Sequence, residues 1–225
     1  MEAIRIVAAG DAALVVELPQ RIDPAINARL VALAETIRER CGSAVTDAVV
    51  GYCTLTVYFD PVRVDPTWLE GEMRTLASEA EGASHEDGPR VDVPVCYGGD
   101  LGPDLEDVAA RIGCSGEEVI ALHAGREYRV YVVGFVPGFA YMATVDDRLA
   151  LPRRSTPRTK VPAGSVAIAA GQTGIYPMET PGGWHILGRT PLKPFDPRRE
   201  EPVLFKPGDR VRFVPIPRDE YERSL

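Results

Sequence analysis

The sequence predicts a small α+β domain followed by a mostly-β domain, and three observations lead to this fold class. Helical and strand patterns alternate up to about residue 97, whereas short strand patterns dominate the later part of the chain. Thirteen of the 20 prolines lie from Pro137 onward, and proline disfavours long helices. A Gly-rich joint, YGGDLGP (97–103), separates the two parts. The 225 residues therefore divide into predicted domains 1–97 and 98–225.

The first domain opens with two strand patterns, 4–8 and 13–18, joined by a turn at Gly10 and Asp11. Asp23 is a good N-cap and Pro24 suits the first helical position, so a helix is predicted from there to Gly42. The remaining predicted elements are strands 45–50 and 54–59, a helix from Pro66, a polar loop at 79–89 and a strand at 90–96. This order contains a βαββαβ unit, the pattern of ferredoxin-like sandwiches. We expect this domain to be a scaffold or a docking surface, because it gathers no catalytic side chains.

The second domain begins with two short helical patterns, 104–112 and 115–124. Ser115 with Glu118 three residues later forms a capping box. A β-branched and aromatic strand pattern follows at 128–135, and the clearest later strands are 166–169, 184–187, 203–205 and 210–215. Many short strands with Gly and Pro turns indicate a barrel or a sandwich.

Charge and composition exclude several classes of function. The net charge of −8 argues against a general nucleic-acid binder. Four cysteines and three histidines are scattered without metal-ligand spacing, so no metal site is predicted. No apolar run reaches the ~20 residues that span a bilayer, and an acid at position 2 with no basic segment is unlike a signal peptide. We therefore expect a cytoplasmic protein that does not bind membranes.

The strongest functional signal lies in residues 152–191, where Pro and Gly define loops around cationic side chains. Five basic residues and no acid occur between Arg148 and Lys160, and such a patch on an acidic protein attracts anions. Arg158, which lies in a stiff segment between two prolines, is the best candidate anion ligand, and Arg153 is a further candidate. Two alternatives remain for the patch, a solvated loop or pairing with acids such as Glu179.

Other residues of this region are weaker candidates. Gln172 and Thr173 sit in a Gly-flanked tetrapeptide that also reads as a plain β-turn. The segment from Gly183 to Thr190 nearly matches a phosphate loop. Pro191, however, prevents the helix that such a loop needs, so a strand ending at Arg189 is predicted.

Two histidines and an aromatic loop leave alternatives open. His123, near the end of a short helix, is more often a packed or capping residue than a base. His185 alternates with apolar neighbours and points either into a groove or to solvent. The aromatic loop 134–141 lines a pocket, faces a partner or packs in the core. Neither Ser155 nor Ser165 has a His/Asp arrangement nearby, so no nucleophilic triad is argued.

Taken in order, four strings resemble the family of 5-oxoprolinase B subunits, which is also called allophanate hydrolase subunit 1 or kinase-A-inhibitor-like. They are GFVPGFAYM (134–142), LPRRSTPRTKVPAGSVAIAAGQTGIYP (151–177), PGGWHILGRTPL (181–192) and FKPGDRVRFVPI (205–216). The resemblance covers the whole chain in organisation and nearly all of residues 115–216 in motif. It implies a ferredoxin-like domain followed by a cyclophilin-like β-barrel.

The resemblance further implies membership of an ATP-dependent complex, a 5-oxoprolinase, that opens 5-oxoproline, a small lactam, to glutamate. The partners would be homologues of its C and A subunits, the former itself cyclophilin-like. ATP, with Mg²⁺, would be a co-substrate, and no tightly bound cofactor is expected. The present chain is expected to be inactive alone.

Such chemistry needs cationic donors for phosphate and planar donors for a carboxylate. The expected catalytic residues are His123 as a proton carrier and Gln172 and Thr173, which would orient the amide. The expected binding residues are Arg153, Arg158, Tyr176, His185 and Arg189. Two other functions compete, a regulator that inhibits a histidine kinase through the aromatic loop and a subunit of an allophanate- or urea-type amidohydrolase. A proline isomerase would rest on the barrel alone, and fold does not carry function.

Overall fold

The computed structural model describes residues 4–79 and 88–225, and the chain divides into two compact units between Asp87 and Gly88. The elements of the first unit are β1 (Arg5–Ala8), β2 (Ala13–Glu17), α1 (Pro24–Cys41), β3 (Val45–Val50), β4 (Thr54–Phe59) and α2 (Pro66–Glu79). They confirm the predicted strands and helices. The Asp23 carboxylate accepts a hydrogen bond from the Ala25 amide at 2.8 Å, as an N-cap should. Most of the predicted loop at 79–89 lies outside the described residues.

The four strands of the first unit form an antiparallel sheet in the order β1-β2-β4-β3. Residues from both helices and the sheet share one hydrophobic core, with Leu30, Leu55 and Leu69 fully buried. The predicted βαββαβ unit required strand 90–96 at the edge of this sheet, beside β2. That edge position is held by β1 instead, so the ferredoxin-like order is not confirmed.

The second unit holds nine strands and three helices within residues 88–225. They are β5 (Arg90–Tyr97), α3 (Leu105–Ile112), α4 (Gly116–Ala124), β6 (Glu127–Val133), β7 (Ala140–Ala143), β8 (Arg158–Val161), β9 (Ser165–Ala169), β10 (Gln172–Ile175), β11 (Thr180–Gly182), β12 (His185–Arg189), β13 (Arg210–Pro215) and α5 (Arg218–Arg223). The capping box of Ser115 and Glu118 is present at the start of α4.

Seven of these strands close into a barrel, in the order β10-β7-β6-β13-β5-β12-β9, and β8 and β11 form a separate ribbon. Placing the domain boundary at residue 97 assigns β5 to the wrong unit, because β5 pairs in parallel with β13 and antiparallel with β12. The pattern that identified β5 as a strand carries no information about its partner.

Two short segments differ from the secondary structure predicted for them. Gln172, Thr173 and Gly174 of the Gly-flanked tetrapeptide belong to β10, which pairs with β7 and β9, whereas Gly171 lies in the turn between β9 and β10. The predicted strand at 203–205 is reduced to a single bridge between Phe195 and Val203. No helix within residues 4–79 and 88–225 is long and apolar enough to cross a membrane.

Candidate functional site

A buried carboxylate, Asp104, organises the arginine-rich segment. The Asp104 side chain is only 4% exposed and accepts two parallel hydrogen bonds from Arg158, both 2.8 Å long. A third comes from Arg154, also at 2.8 Å. The backbone amide of Ile186 donates the fourth, at 2.7 Å. Burial raises the pKa of Asp104, but the bonds from Arg158 and Ile186 outweigh it, so the pKa lies below its usual value.

The Gly-rich joint places Asp104 against β12. Gly98 donates its amide to the Leu187 carbonyl at 3.0 Å, and the Asp104 amide donates to the Ile186 carbonyl at 3.1 Å. A Cβ atom on Gly102 would lie 2.0 Å from the Leu187 oxygen, so only glycine permits this approach. The joint therefore attaches the loop before α3 to the barrel wall.

A cavity of about 230 Å³, which we call the polar cavity, opens beside this ion pair. Its charged and hydroxyl lining residues are Asp100, Arg158, Lys160, Ser165 and Arg189. Two of the five expected binding residues, Arg158 and Arg189, line this cavity. The Arg158 side chain binds Asp104, whereas the Arg189 side chain forms no hydrogen bond or ion pair with the residues that the structure describes.

A second cavity, of about 270 Å³, is lined mainly by aromatic rings, and we call it the aromatic cavity. Phe139 is one of its lining residues and packs edge-on against Tyr176 and Trp184, at centroid distances of 5.2 and 5.5 Å. Tyr141 and Phe135 complete the wall. A Cβ atom on Gly182 would lie 2.4 Å from the Tyr176 hydroxyl, so the glycine at the end of β11 makes room for this phenol.

Arg153 is the one arginine that lines the aromatic cavity. Its exposed guanidinium has no hydrogen-bond or ion-pair partner within residues 4–79 and 88–225. Burial raises the pKa of Tyr176, and that of Tyr141, so both phenols keep their protons. The aromatic cavity therefore combines flat apolar walls with one unpaired cation and neutral hydroxyl groups.

The two cavities are neighbours along the same two segments. On the first segment, Pro157 lines the aromatic cavity and Arg158 lines the polar one. On the second segment, Trp184 lines the aromatic cavity and Ile186 lines the polar one. His185, between them, lines neither cavity. It is buried and its Nε2 donates to the Pro152 carbonyl at 2.9 Å, which fixes the chain immediately before Arg153. His185 thus holds the segment that carries Arg153 and does not itself line a cavity.

The three expected catalytic residues do not join either cavity. His123, on α4, is completely buried, and its ring stacks on that of Phe213 in β13 with a centroid distance of 4.5 Å. Its Nε2 lies 2.8 Å from the Thr173 hydroxyl and its Nδ1 lies 2.7 Å from the Tyr97 hydroxyl. Gln172, on β10, also lines neither cavity.

The hydrogen-bond partners determine where the protons lie in this buried series of hydrogen bonds. Thr173 donates its single hydroxyl proton to the Ala167 carbonyl at 3.1 Å, so Nε2 of His123 must be the donor to Thr173. Nδ1 is then the acceptor for Tyr97, whose pKa burial raises well above its usual value. Burial lowers the pKa of His123 from 6.5 to about 3. This neutral, saturated, inaccessible imidazole is a structural residue, and its expected role as a proton carrier is not supported.

Sequence reasoning missed Asp104, which appeared only as the first residue of a helix. Its partners Arg154 and Arg158 are 50 and 54 residues away. The packing of the aromatic loop against Trp184 was also missed. Among the described residues, no group of three or more His, Cys, Asp or Glu side chains is placed to hold a metal ion.

Comparison with known proteins finds relatives along nearly the whole chain. Residues 4–205 match the family described as carboxyltransferase domain, subdomain C and D. The 5-oxoprolinase B subunit of Bacillus subtilis (strain 168) is 39% identical over 222 residues, covering 94% of this chain and 92% of the relative. That of Escherichia coli O157:H7 is 41% identical over 223 residues, covering 96% and 97%.

A solved structure agrees with this. The crystal structure of TTHA0988 matches with a TM-score of 0.80 and 41% sequence identity, over 91% of this chain. The match covers 40% of the TTHA0988 chain, so it spans less than half of that longer polypeptide. The fold described above is therefore also found joined to further sequence.

Proposed function

Because the chain belongs to the family of 5-oxoprolinase B subunits, we propose that it works in a complex that hydrolyses 5-oxoproline to glutamate with ATP and Mg²⁺. Homologues of the C and A subunits are the proposed partners, and the chain alone is inactive. The unpaired Arg153 at the mouth of the aromatic cavity is the observation that carries our choice of substrate site.

The chemistry of 5-oxoproline fits the aromatic cavity. The substrate is a flat five-membered lactam with one carboxylate, so it needs apolar walls and one cation. Phe139, Tyr176 and Trp184 supply the walls, and Arg153 supplies planar donors to the carboxylate. A neutral phenol such as Tyr176 can donate to the lactam oxygen.

The size of the cavity supports a small ligand. At about 270 Å³ it lies just below the ~300–1,000 Å³ of pockets for drug-sized ligands. A single lactam ring suits it, and a whole nucleotide does not. The adenosine part of ATP is therefore assigned to another surface of the complex.

This proposal changes three roles expected from the sequence. Arg153 replaces Arg158 as the ligand of the substrate carboxylate, because Arg153 lines the aromatic cavity whereas Arg158 lines the polar one. Tyr176, instead of Gln172, faces the amide. His185 acts through the segment it anchors.

The regulator alternative depends on the aromatic loop as a docking surface. Phe135 is 64% exposed and has a positive φ of 71°, which is unusual for a bulky residue. Its ring, however, packs edge-on against Phe139 and lines the aromatic cavity. The exposed ring is therefore accounted for as the rim of a small-molecule cavity.

Replacing Arg153 by Gln should lower kcat/KM for 5-oxoproline by about 10- to 100-fold in the complex reconstituted with both partners. The change removes a charge-assisted hydrogen bond to the carboxylate, which contributes about 1.5–3 kcal/mol. The measurement is ATP hydrolysis that depends on 5-oxoproline, with glutamate as the product. Assembly of the complex, followed by gel filtration, should not change.

Arg212→Gln is the matched control, because Arg212 pairs with Asp92 on the exposed face of the barrel, 3.2 Å away. It removes the same charge from the same unit and should leave turnover unchanged. Wild-type kinetics in the Arg153 variant would remove the aromatic cavity from the active site.

A further inference from the structure

The polar cavity contains two donor groups that the protein leaves unused. Ser165 has no accessible surface, and its Oγ has no hydrogen-bond partner among the described residues. The Nε of Arg189 is likewise buried without a partner. Buried polar groups are normally hydrogen-bonded, so an orphaned hydroxyl and guanidinium in one cavity indicate a ligand or an ordered water.

The fold brings these donors together from three strands. Ser165 on β9 and Arg189 on β12 are direct cross-strand partners. Arg158 and Lys160 are two residues apart on β8, so their side chains leave the same face of that strand. A Cβ atom on Gly164 would lie 2.5 Å from the Thr190 oxygen, so glycine is required where β9 approaches β12.

Arg158 keeps donors for a ligand after binding Asp104. A guanidinium has five N–H groups, and the two bonds to Asp104 use two of them. Asp104 carries one negative charge against the two positive charges of Arg154 and Arg158. This partly buried cluster therefore has a net charge of about +1, and Arg158 is its member at the wall of the cavity.

The remaining charges leave the cavity positive. Lys160 pairs with Glu179 at 3.2 Å, but both side chains are more than half exposed, so the pair is weak. Asp100, at the rim, is paired with Arg218. Arg189 is close enough to Asp100 to help lower the pKa of that carboxyl, but it forms no ion pair within the described part of the chain.

We propose that the polar cavity is a binding site for a tetrahedral oxyanion of phosphate type, distinct from the aromatic cavity. Converging guanidinium groups and a hydroxyl suit the several acceptor oxygens of a phosphate, whereas a carboxylate offers only two. The volume of about 230 Å³ holds a phosphate but not a nucleotide. The ligand is free phosphate or the terminal phosphoryl group of a nucleotide that is bound elsewhere. Its use in turnover rests on the proposed function, whereas its binding does not.

Calorimetric titration of the isolated 225-residue chain with inorganic phosphate at low ionic strength tests the site. We expect saturable binding of one phosphate, weakened at least tenfold by Arg189→Gln and measurably by Ser165→Ala. Arg189→Lys should bind with intermediate affinity. The same titration with a non-hydrolysable ATP analogue identifies the source, because only a phosphoryl group that reaches the cavity will depend on Arg189.

Two controls separate this site from other effects. Arg212→Gln tests for non-specific attraction of anions and should bind phosphate like the wild type. Arg153→Gln should also bind phosphate normally although its kcat/KM for 5-oxoproline falls, so the two sites can be tested independently. No saturable binding of either probe, or binding unaffected by both Arg189→Gln and Ser165→Ala in folded protein, would overturn the proposal.

Discussion

Replacing Asp104 by Asn should lower the free energy of unfolding of the second unit by about 3 kcal/mol. The substitution keeps the size of the side chain but leaves Arg154 and Arg158 without their negative partner. Breaking a buried ion pair costs about 3–5 kcal/mol. We expect the low end, because these two arginine side chains are 29% and 24% exposed. Urea unfolding followed by circular dichroism gives the measurement.

Asp107→Asn is the matched control for this variant. Asp107 pairs with Arg111 at 2.8 Å one turn further along α3, where both side chains are about half exposed. An exposed pair of this kind contributes at most about 1 kcal/mol. Equal destabilisation by the two variants would show that Asp104 has no special part in holding the arginine segment.

The Asp104 variant should also lose activity at temperatures where it remains folded. The segment that Asp104 holds through Arg154 and Arg158 carries Arg153 and Pro157, which line the aromatic cavity. Displacing it by about 1 Å is enough to lower a catalytic rate about 100-fold. Activity of the reconstituted complex, measured well below the unfolding transition of the variant, separates this effect from unfolding.

Features fixed by neighbouring residues were predictable from the sequence. Asp23 with Pro24, and Ser115 with Glu118, mark helix starts because capping acts within three residues. The identity of β5 as a strand was equally clear, since its β-branched residues fit a pleated surface. Its partner β13 is far away along the chain, and nothing local distinguishes that partner from β2.

Contacts across long sequence distances explain what was missed at the candidate site. Asp104 and Arg158 meet only after the barrel closes, and neither neighbourhood contains a sign of the other. The cationic patch was recognised from the sequence. Its arginines line two different cavities, however, because their side chains leave one short segment in different directions. Arg153 lines one cavity and Arg158 the other.

His123 should make the stability of the protein depend on pH, in the direction set by its lowered pKa. The pKa of His123 is near 6.5 in the unfolded state and about 3 in the folded state. Between these values the unfolded state binds a proton that the folded state rejects. Its contribution is therefore complete above pH 6.5 and is lost as the pH falls toward 3. From about pH 7 to about pH 4 the expected loss is about 3 kcal/mol, at about 1.36 kcal/mol per pKa unit.

His123→Gln isolates this contribution from that of the carboxylates. A Gln side chain offers an N–H donor toward Thr173 but has no titrating group, so its stability should fall less steeply with acid. The comparison uses the slope of unfolding free energy against pH, because the substitution itself lowers stability at every pH. Parallel slopes for wild type and variant would mean that His123 is accessible to protons in the folded barrel, and its role as a proton carrier would then need to be reconsidered.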